Sequence, residues 1–433
     1  MIEKLPSATE QQVNYVRIDE DKCNGCVLCM KVCPTKAIRV RDNHKAVIVG
    51  VCIDCGECVK VCPRGAVEPI INLTSDFEEA PYKVVSPSTA IYAQFGPDVM
   101  PNDVLLALKK MGFDYVHDQS YTSEMFNVAI ELYVKENHEH GHSPWPLISP
   151  VCPVVVRLIR YRYPSLLKHL PPLATPREIV AREAKKRLSQ KHGCSQDVIK
   201  VIHVTPCAAK MICIREPFFL ERSYLDAAVG ISSIHEEIIR NLEDLEEDTV
   251  LHHSGGIGLG WGMSGGEIAG LHMNCLAVSG LSETIKYLEQ IEMGLLTDIE
   301  YVEFRMCTEG CIGGPLTVVD KYRAKHRLQT LVRLFGAERR VKYEYVKNLY
   351  DKGWFLAERE VEGFPSERSA RDIKAEIRRR NQIEKILEHL PRKECGLCGS
   401  PDCETFAEDV VDGRSSLDKC VFLDAKGKEK GLQ

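Results

Sequence analysis

Apolar residues in this chain come in short runs whose spacing changes along its length. Near the start, Ala37-Ile-Arg-Val and Ala46-Val-Ile-Val-Gly50 read as two short strands. Pro69 to Ser86, rich in turn-forming and acidic residues, reads as an exit strand and linker. From Lys83 to Gly363 strands and helices alternate. Ala90-Ile-Tyr-Ala reads as a buried strand, and Asn102 to Lys110 as a helix capped by Asn102 and ended near Gly112. Lys200-Val-Ile-His-Val-Thr is another apolar strand and runs straight into Pro206-Cys207. Val250-Leu-His-His leads into a glycine-rich loop, and Glu283 to Glu292 reads as a helix. This alternation predicts an α/β core with at least two parallel-sheet lobes. From Arg371 to Leu390, Ile373, Ile377, Ile383, Ile386 and Leu387 sit at roughly helical spacing among charges, an amphipathic connecting helix stopped by Pro391. Its run Arg378-Arg379-Arg380 reads as a solvated helix face.

Bulk composition adds little to this picture. With 433 residues, 44% apolar and 27% charged, the chain is an ordinary globular protein of several domains. A net charge of −6 gives no reason to expect nucleic acid or membrane as a partner. Residues Met1 to Glu10 lack the basic and apolar regions of a signal peptide, and no apolar stretch nears the ~18 residues of a membrane helix. A cytoplasmic location is therefore expected, with cysteines acting as thiolate ligands and not as disulfides.

The nineteen cysteines change the picture, because sixteen of them fall into four groups. Two groups repeat 29 residues apart, Cys23/Cys26/Cys29/Cys33-Pro34 and Cys52/Cys55/Cys58/Cys62-Pro63. Each is C-x2-C-x2-C-x3-C-P, the bacterial ferredoxin run, in which the fourth thiolate of each run binds the other run's cluster. Cys23, Cys26, Cys29 and Cys62 are therefore expected to hold one [4Fe–4S] cluster, and Cys52, Cys55, Cys58 and Cys33 a second. The competing reading is a zinc ribbon or disulfides. A third group, Cys395, Cys398, Cys403 and Cys420, has C-x2-C-x4-C-x16-C spacing and resembles a small stand-alone [4Fe–4S] domain, with zinc as the alternative.

The fourth group is scattered: Cys152, Cys207, and the pair Cys307 and Cys311. Lone cysteines are usually inert core thiols. Cys152 and Cys207 each touch a proline, however, and Cys207 precedes Lys210 by three residues. Cys307 and Cys311 lie in Glu303-Phe-Arg-Met-Cys307-Thr-Glu-Gly-Cys311-Ile-Gly-Gly-Pro315, where glycines let backbone approach something bulky. These segments resemble the three signatures of the [FeFe]-hydrogenases, T-S-C-C-P-G-W, M-P-C-x-x-K-x-x-E and E-x-M-x-C-x-x-G-C-x-x-G-G-G. The resemblance extends over essentially the whole chain.

The resemblance implies an α+β protein with a 2[4Fe–4S] ferredoxin-like domain (1–82), a two-lobed α/β H-cluster domain (83–364), a linker helix (365–391) and a C-terminal [4Fe–4S] domain with tail (392–433). It implies an H-cluster: a cubane on Cys152, Cys207, Cys307 and Cys311, with Cys311 bridging to a diiron unit that carries CO, cyanide and an azadithiolate. Lys210 matches the family lysine that donates to a cyanide; a surface lysine is the competing reading. The implied partners are H2 and protons, a ferredoxin-like electron carrier and hydrogenase maturation proteins.

The departures from the pattern carry their own expectations. The cysteine that shuttles protons to the bridging amine is replaced by Val151. The family relay stretch E-E-A-T-E-L reads Asn127-Val-Ala-Ile-Glu131-Leu132, keeping its last glutamate. The first signature lacks G-W, Thr205 stands for methionine, Cys213 for glutamate and Arg305 for methionine. A lost general acid–base group costs about 10²–10⁴ in rate, so slow turnover is expected. Slow turnover suits the sensory branch of the family, which Cys152-Pro-Val-Val-Val-Arg-Leu-Ile also resembles, signalling through a separate partner. A catalytic subunit coupled to ferredoxin or a bifurcating complex, and an iron–sulfur scaffold without the diiron unit, are the competing functions. Cys213, Glu216 and His203 could offer another proton path but read as packing or surface residues.

Two further signals are discounted. Gly260-Trp-Gly262-Met-Ser-Gly265 matches G-x-G-x-x-G, yet its glycines begin at Gly255 and form a long loop, which argues against a dinucleotide site. Cys194 and Cys275 read as structural thiols, and His138, His140, His142, His252 and His253 as loop or surface residues.

Overall fold

The computed structural model describes residues 14–243, 245, 249–364 and 373–423. The linker residues just before Ile373, the first ten residues and the charged end of the chain lie outside them. Ile70–Gly363 forms one compact unit, and the described residues on its two sides in sequence together form another.

The larger unit is built on two parallel sheets. In the first, the strands run in the order Tyr115–Val116, Tyr82–Pro87, Ile199–Thr205, Ala227–Gly230. In the second the order is Cys275–Ser279, Tyr301–Arg305, Leu147–Ile148. Parallel sheets are covered on both faces, so their strands read as apolar runs without alternation. Val84, Val85, Val201, Ile202 and Val204 are accordingly all fully buried. Among the described residues the longest helix begins and ends where capping chemistry dictates. Asp118 accepts from the Ser120 N–H to open Gln119–His140, which ends at left-handed Gly141.

Several expectations need correction. Residues 70–82, drawn with the N-terminal domain, belong to the larger unit: Asn72 donates its N–H to Ala228 O, and Tyr82 pairs with Ile199. Tyr82–Pro87 is no linker but an inner strand of the first sheet. Thr89–Ala93 is buried as expected, but as a 3-10 helix and not a strand. The helix starting at Pro101 is capped by the Asp103 carboxylate, which accepts from Met100 N–H. Asn102 turns away and holds Leu251 and His252 by their backbone N–H groups. Arg379, read as solvated, ion-pairs with Asp412.

The glycine-rich segment is not a nucleotide loop. Among the described residues no strand leads directly into it, and Val250–His253 is not one; Gly256–Gly260 is a short helix packed backbone to backbone. A Cβ on Gly258 would stand 2.4 Å from Ser120 O, and one on Gly266 2.0 Å from Gly260 O.

In the smaller unit Val16–Ile18 pairs antiparallel with Val67–Pro69, and Ile38–Val40 with Ala46–Ile48. Short helices Leu28–Lys31 and Glu57–Val61 complete a pseudo-repeat whose core includes the cysteines themselves. Helices Ile373–His389 and Cys403–Val411 pack through Ile383, Leu390 and Phe406.

Candidate metal centres

Three cages are visible as voids. Cys23, Cys26, Cys29 and Cys62 line one. Cys33, Cys52, Cys55 and Cys58 line a second. Cys395, Cys398, Cys403 and Cys420 line a third. The crossed sharing of Cys33 and Cys62 is the pattern of a two-cubane ferredoxin. Among the described residues, no three His, Cys, Asp or Glu side chains gather tightly enough for a single bare ion. Four thiols around a void fit a cubane better than zinc, which draws its sulfurs to ~2.3 Å. Burial, then the neighbouring Cys23, pushes Cys29 up to about 11, and burial with the Cys33 charge pushes Cys58 up to about 12. Such thiols stay protonated until iron displaces the protons.

The fourth group sits where strands end. Ile199–Thr205 delivers Cys207, Tyr301–Arg305 delivers Cys307 and Cys311, and Leu147–Ile148 delivers Cys152. Ligands of parallel α/β sheets bind at these carboxyl ends. The glycine segment pins the last loop, since Ser264 N–H donates to Glu309 O and Ile312 N–H to Gly262 O. Burial raises Cys207 to about 11, opposed by the nearby Lys210 charge and assisted by Cys311 and Cys152. Lys210, second residue of the helix Ala209–Arg215, is buried. Val151 is buried too, and its carbonyl accepts from Arg177 at 3.2 Å.

Behind this site lies a buried polar cluster that sequence reasoning missed as a unit. Tyr301, Glu303 and Arg305 alternate onto one face of their strand. Glu267 accepts from Ser149 Oγ (2.9 Å), Tyr301 OH (2.6 Å) and Arg305 Nη2 (2.8 Å). Glu303 lies 3.1 Å from Arg305 and accepts backbone N–H from Gly265, Glu267 and Ile268. Burial raises Glu303, Arg305 opposes this, and Glu267 adds to it; the two carboxylates keep Arg305 firmly protonated. The available signal was two charges alternating in an otherwise apolar strand.

A family model for the C-terminal domain of the iron-only hydrogenase large subunit matches residues 82–269 and 232–315. The chain belongs to this hydrogenase family. A 4Fe-4S dicluster domain matches 15–63, and an Fe-S cluster family 390–422. Iron hydrogenase 1 of Clostridium pasteurianum is 24% identical over 381 residues, 70% of this chain and 65% of that protein. The periplasmic [Fe] hydrogenase large subunit of Nitratidesulfovibrio vulgaris is 27% identical over 221 residues, 47% of this chain and 52% of that one. The chain thus spans under two thirds of either relative. A variant of [FeFe]-hydrogenase HydA1 from Chlamydomonas reinhardtii shares the fold, with TM-score 0.52 and 16% identity over 66% of this chain and 96% of that one.

Against the family's relay stretch, Asn127 takes the Trp261 indole N–H on Oδ1 and donates to Glu267 O. Glu131 is held by Arg339 at 2.8 Å and by the His272 N–H. His203 is buried, bonded to Ser86 O, and pushed down to about 3 by burial and by the Lys210 and Arg177 charges, so it stays neutral. Cys213 is buried and accepts from Arg177, while Glu216 is exposed. His252 lies on a loop as expected, yet it is buried there against Asp118 at 2.8 Å. No helix among the described residues is long and apolar enough to cross a membrane.

Proposed function

We propose that this protein reacts reversibly with dihydrogen at low turnover and serves as a sensor of hydrogen or redox state. One observation carries the reading. Lys210 is buried beside the cysteine quartet and makes no ion pair or side-chain hydrogen bond among the described residues. Nearby Arg177 Nε is also buried without a hydrogen-bond partner. Buried cations require an anion, and an anionic cofactor supplies one.

Cys152, Cys207, Cys307 and Cys311 would hold the cubane of an H-cluster, and Cys311 would also hold its diiron unit. When bound, that group would supply a Lewis-acidic iron and a basic amine for chemistry on dihydrogen. The chain's own share is placement and charge. Lys210, buried beside the quartet, would donate from Nζ to a cyanide of that group. Val151 closes the usual proton entry with a side chain that holds no dissociable proton, while Arg177 holds the Val151 carbonyl. A lost acid–base group costs about 10²–10⁴ in rate, which limits flux but not response. The ferredoxin-type cages would pass electrons to a ferredoxin-like carrier, and maturation proteins would install the diiron unit.

Infrared spectroscopy of the matured chain tests this. CO and cyanide bands that shift under hydrogen gas are expected, with roughly 18 irons per chain for four cubanes plus two. Absent bands would leave an iron–sulfur scaffold. Bands accompanied by rapid turnover would favour a catalytic subunit feeding ferredoxin or a bifurcating complex.

A further inference from the structure

The smaller unit joins two segments that are far apart in sequence, and several of the contacts joining them fall beside the cysteines of both. Arg39 donates from Nε to Asp409 Oδ2 at 2.5 Å, with both side chains buried, and Ser400 Oγ donates to the same oxygen at 3.0 Å. Val40 N–H donates to Gly399 O at 2.9 Å. The backbones meet so closely that a Cβ on Gly399, already at φ +82°, would stand 2.1 Å from Val40 O. Lys31, between Cys29 and Cys33, donates to the carbonyls of Glu394 and Pro401, which flank Cys395 and Cys403. Lys36 pairs with Asp402, next to Cys403, at 2.7 Å.

Lys31, Lys36 and Arg39 supply cations that the Glu394–Asp409 segment answers with carboxylates and carbonyls, while Asp42 and Lys419 pair with the signs reversed. A contact serving only to tether a tail has no reason to use the ligand loops of both partners. Met30 and Lys31 lie against Gly396, where an added Cβ would be 3.0 and 2.9 Å from their Cε atoms. Cys29 and Cys395 are each one residue from this contact, so their backbones are separated on the order of 10 Å.

We propose that Arg39 and Asp409 form a clasp holding the tail cage in electron-exchange contact with the ferredoxin-type pair. The inference rests on the reading that all three cages hold [4Fe–4S] clusters. The step is a single electron passing from a reduced cubane on the ferredoxin side, which is thereby oxidised, to an oxidised tail cubane, which is reduced. No bond or proton changes hands. Arg39 and Asp409 are positioning residues; the side-chain partners of Arg39 are Asp409 and the carbonyls of Lys36 and Ile38.

The test is electron paramagnetic resonance of the reduced full-length chain, prepared without maturation so that no diiron unit contributes. Iron and sulfide are counted on the same sample. The expected result is spin–spin broadening and fast relaxation linking the tail signal to a ferredoxin-type signal. Arg39→Gln and Asp409→Asn should abolish that broadening while the iron count stays unchanged, and Arg39→Lys should retain it. Should Asp409→Asn fold poorly, the wild-type spectrum alone decides. A full iron count with a magnetically isolated tail signal overturns the clasp but leaves the cluster reading standing. An iron count short by one cubane, with no tail signal, overturns both.

Discussion

Arg305 donates from Nη2 to Oε2 of Glu267 at 2.8 Å, and both side chains are buried. The family signature has methionine at this position and keeps the glutamate at Glu303, which lies 3.1 Å from the arginine. Removing one member of a buried ion pair leaves an uncompensated charge and costs about 3–5 kcal/mol. Arg305→Met alone should therefore destabilise the cluster-free protein by that amount, read as a lower urea midpoint. Adding Glu267→Gln should recover part of the loss, because one stranded charge is then gone.

Val151→Cys restores a thiol at the place the family uses for proton transfer. If the rest of the path is intact, hydrogen production by the matured protein should rise, up to about 10²-fold or more. Unchanged kinetics would put the bottleneck at Asn127 or Glu131, both already engaged in other hydrogen bonds.

His203 gives a pH signature with a definite sign. Its folded-state value is about 3, against an ordinary 6.5, chiefly because burial opposes the charge. Between those values the unfolded chain binds a proton that the folded chain refuses. Stability from this group is complete above pH 6.5 and falls as pH drops toward about 3, by up to ~1.4 kcal/mol per pH unit. Urea titrations at pH 7.5 and 5 should show that slope, and His203→Gln should flatten it.

Iron removal should act on the smaller unit first. Its ferredoxin-type core contains Cys29 and Cys58 with only a handful of apolar side chains, and their raised values oppose leaving bare thiolates inside. Chelation under oxidising conditions should abolish hydrogen-exchange protection in residues 14–69. The sheets of Ile70–Gly363, whose core is aliphatic, should keep theirs. Simultaneous loss in both units would contradict this.

The cysteine cages were legible because fixed spacing is itself a geometric statement: Cys33 and Cys62 exchange cages as the ferredoxin run requires. Strands such as Ile199–Thr205 were legible because parallel burial leaves a continuous apolar run. Tyr82–Pro87 was not, since its apolar stretch is short and ends in proline, and its inner position depends on Ile199, more than a hundred residues away. Ala90 to Ala93 showed that apolar runs report burial but not conformation. Asn102 is a plausible cap by type, yet its amide is claimed by Leu251 and His252. The Arg39–Asp409 pair was invisible for the same reason, because nothing local to either residue points to the other.

The seam around Gly258 and Gly266 has a consequence for how this molecule can vary. With main chain pressed against main chain, even one methyl has nowhere to go, so tolerance to substitution there should be as low as in the aliphatic interior. A library scored only for survival of the fold would leave a blank stripe across this segment. Sequence comparison alone would read that stripe as a ligand's footprint, when it marks nothing more than the closeness of two peptide planes.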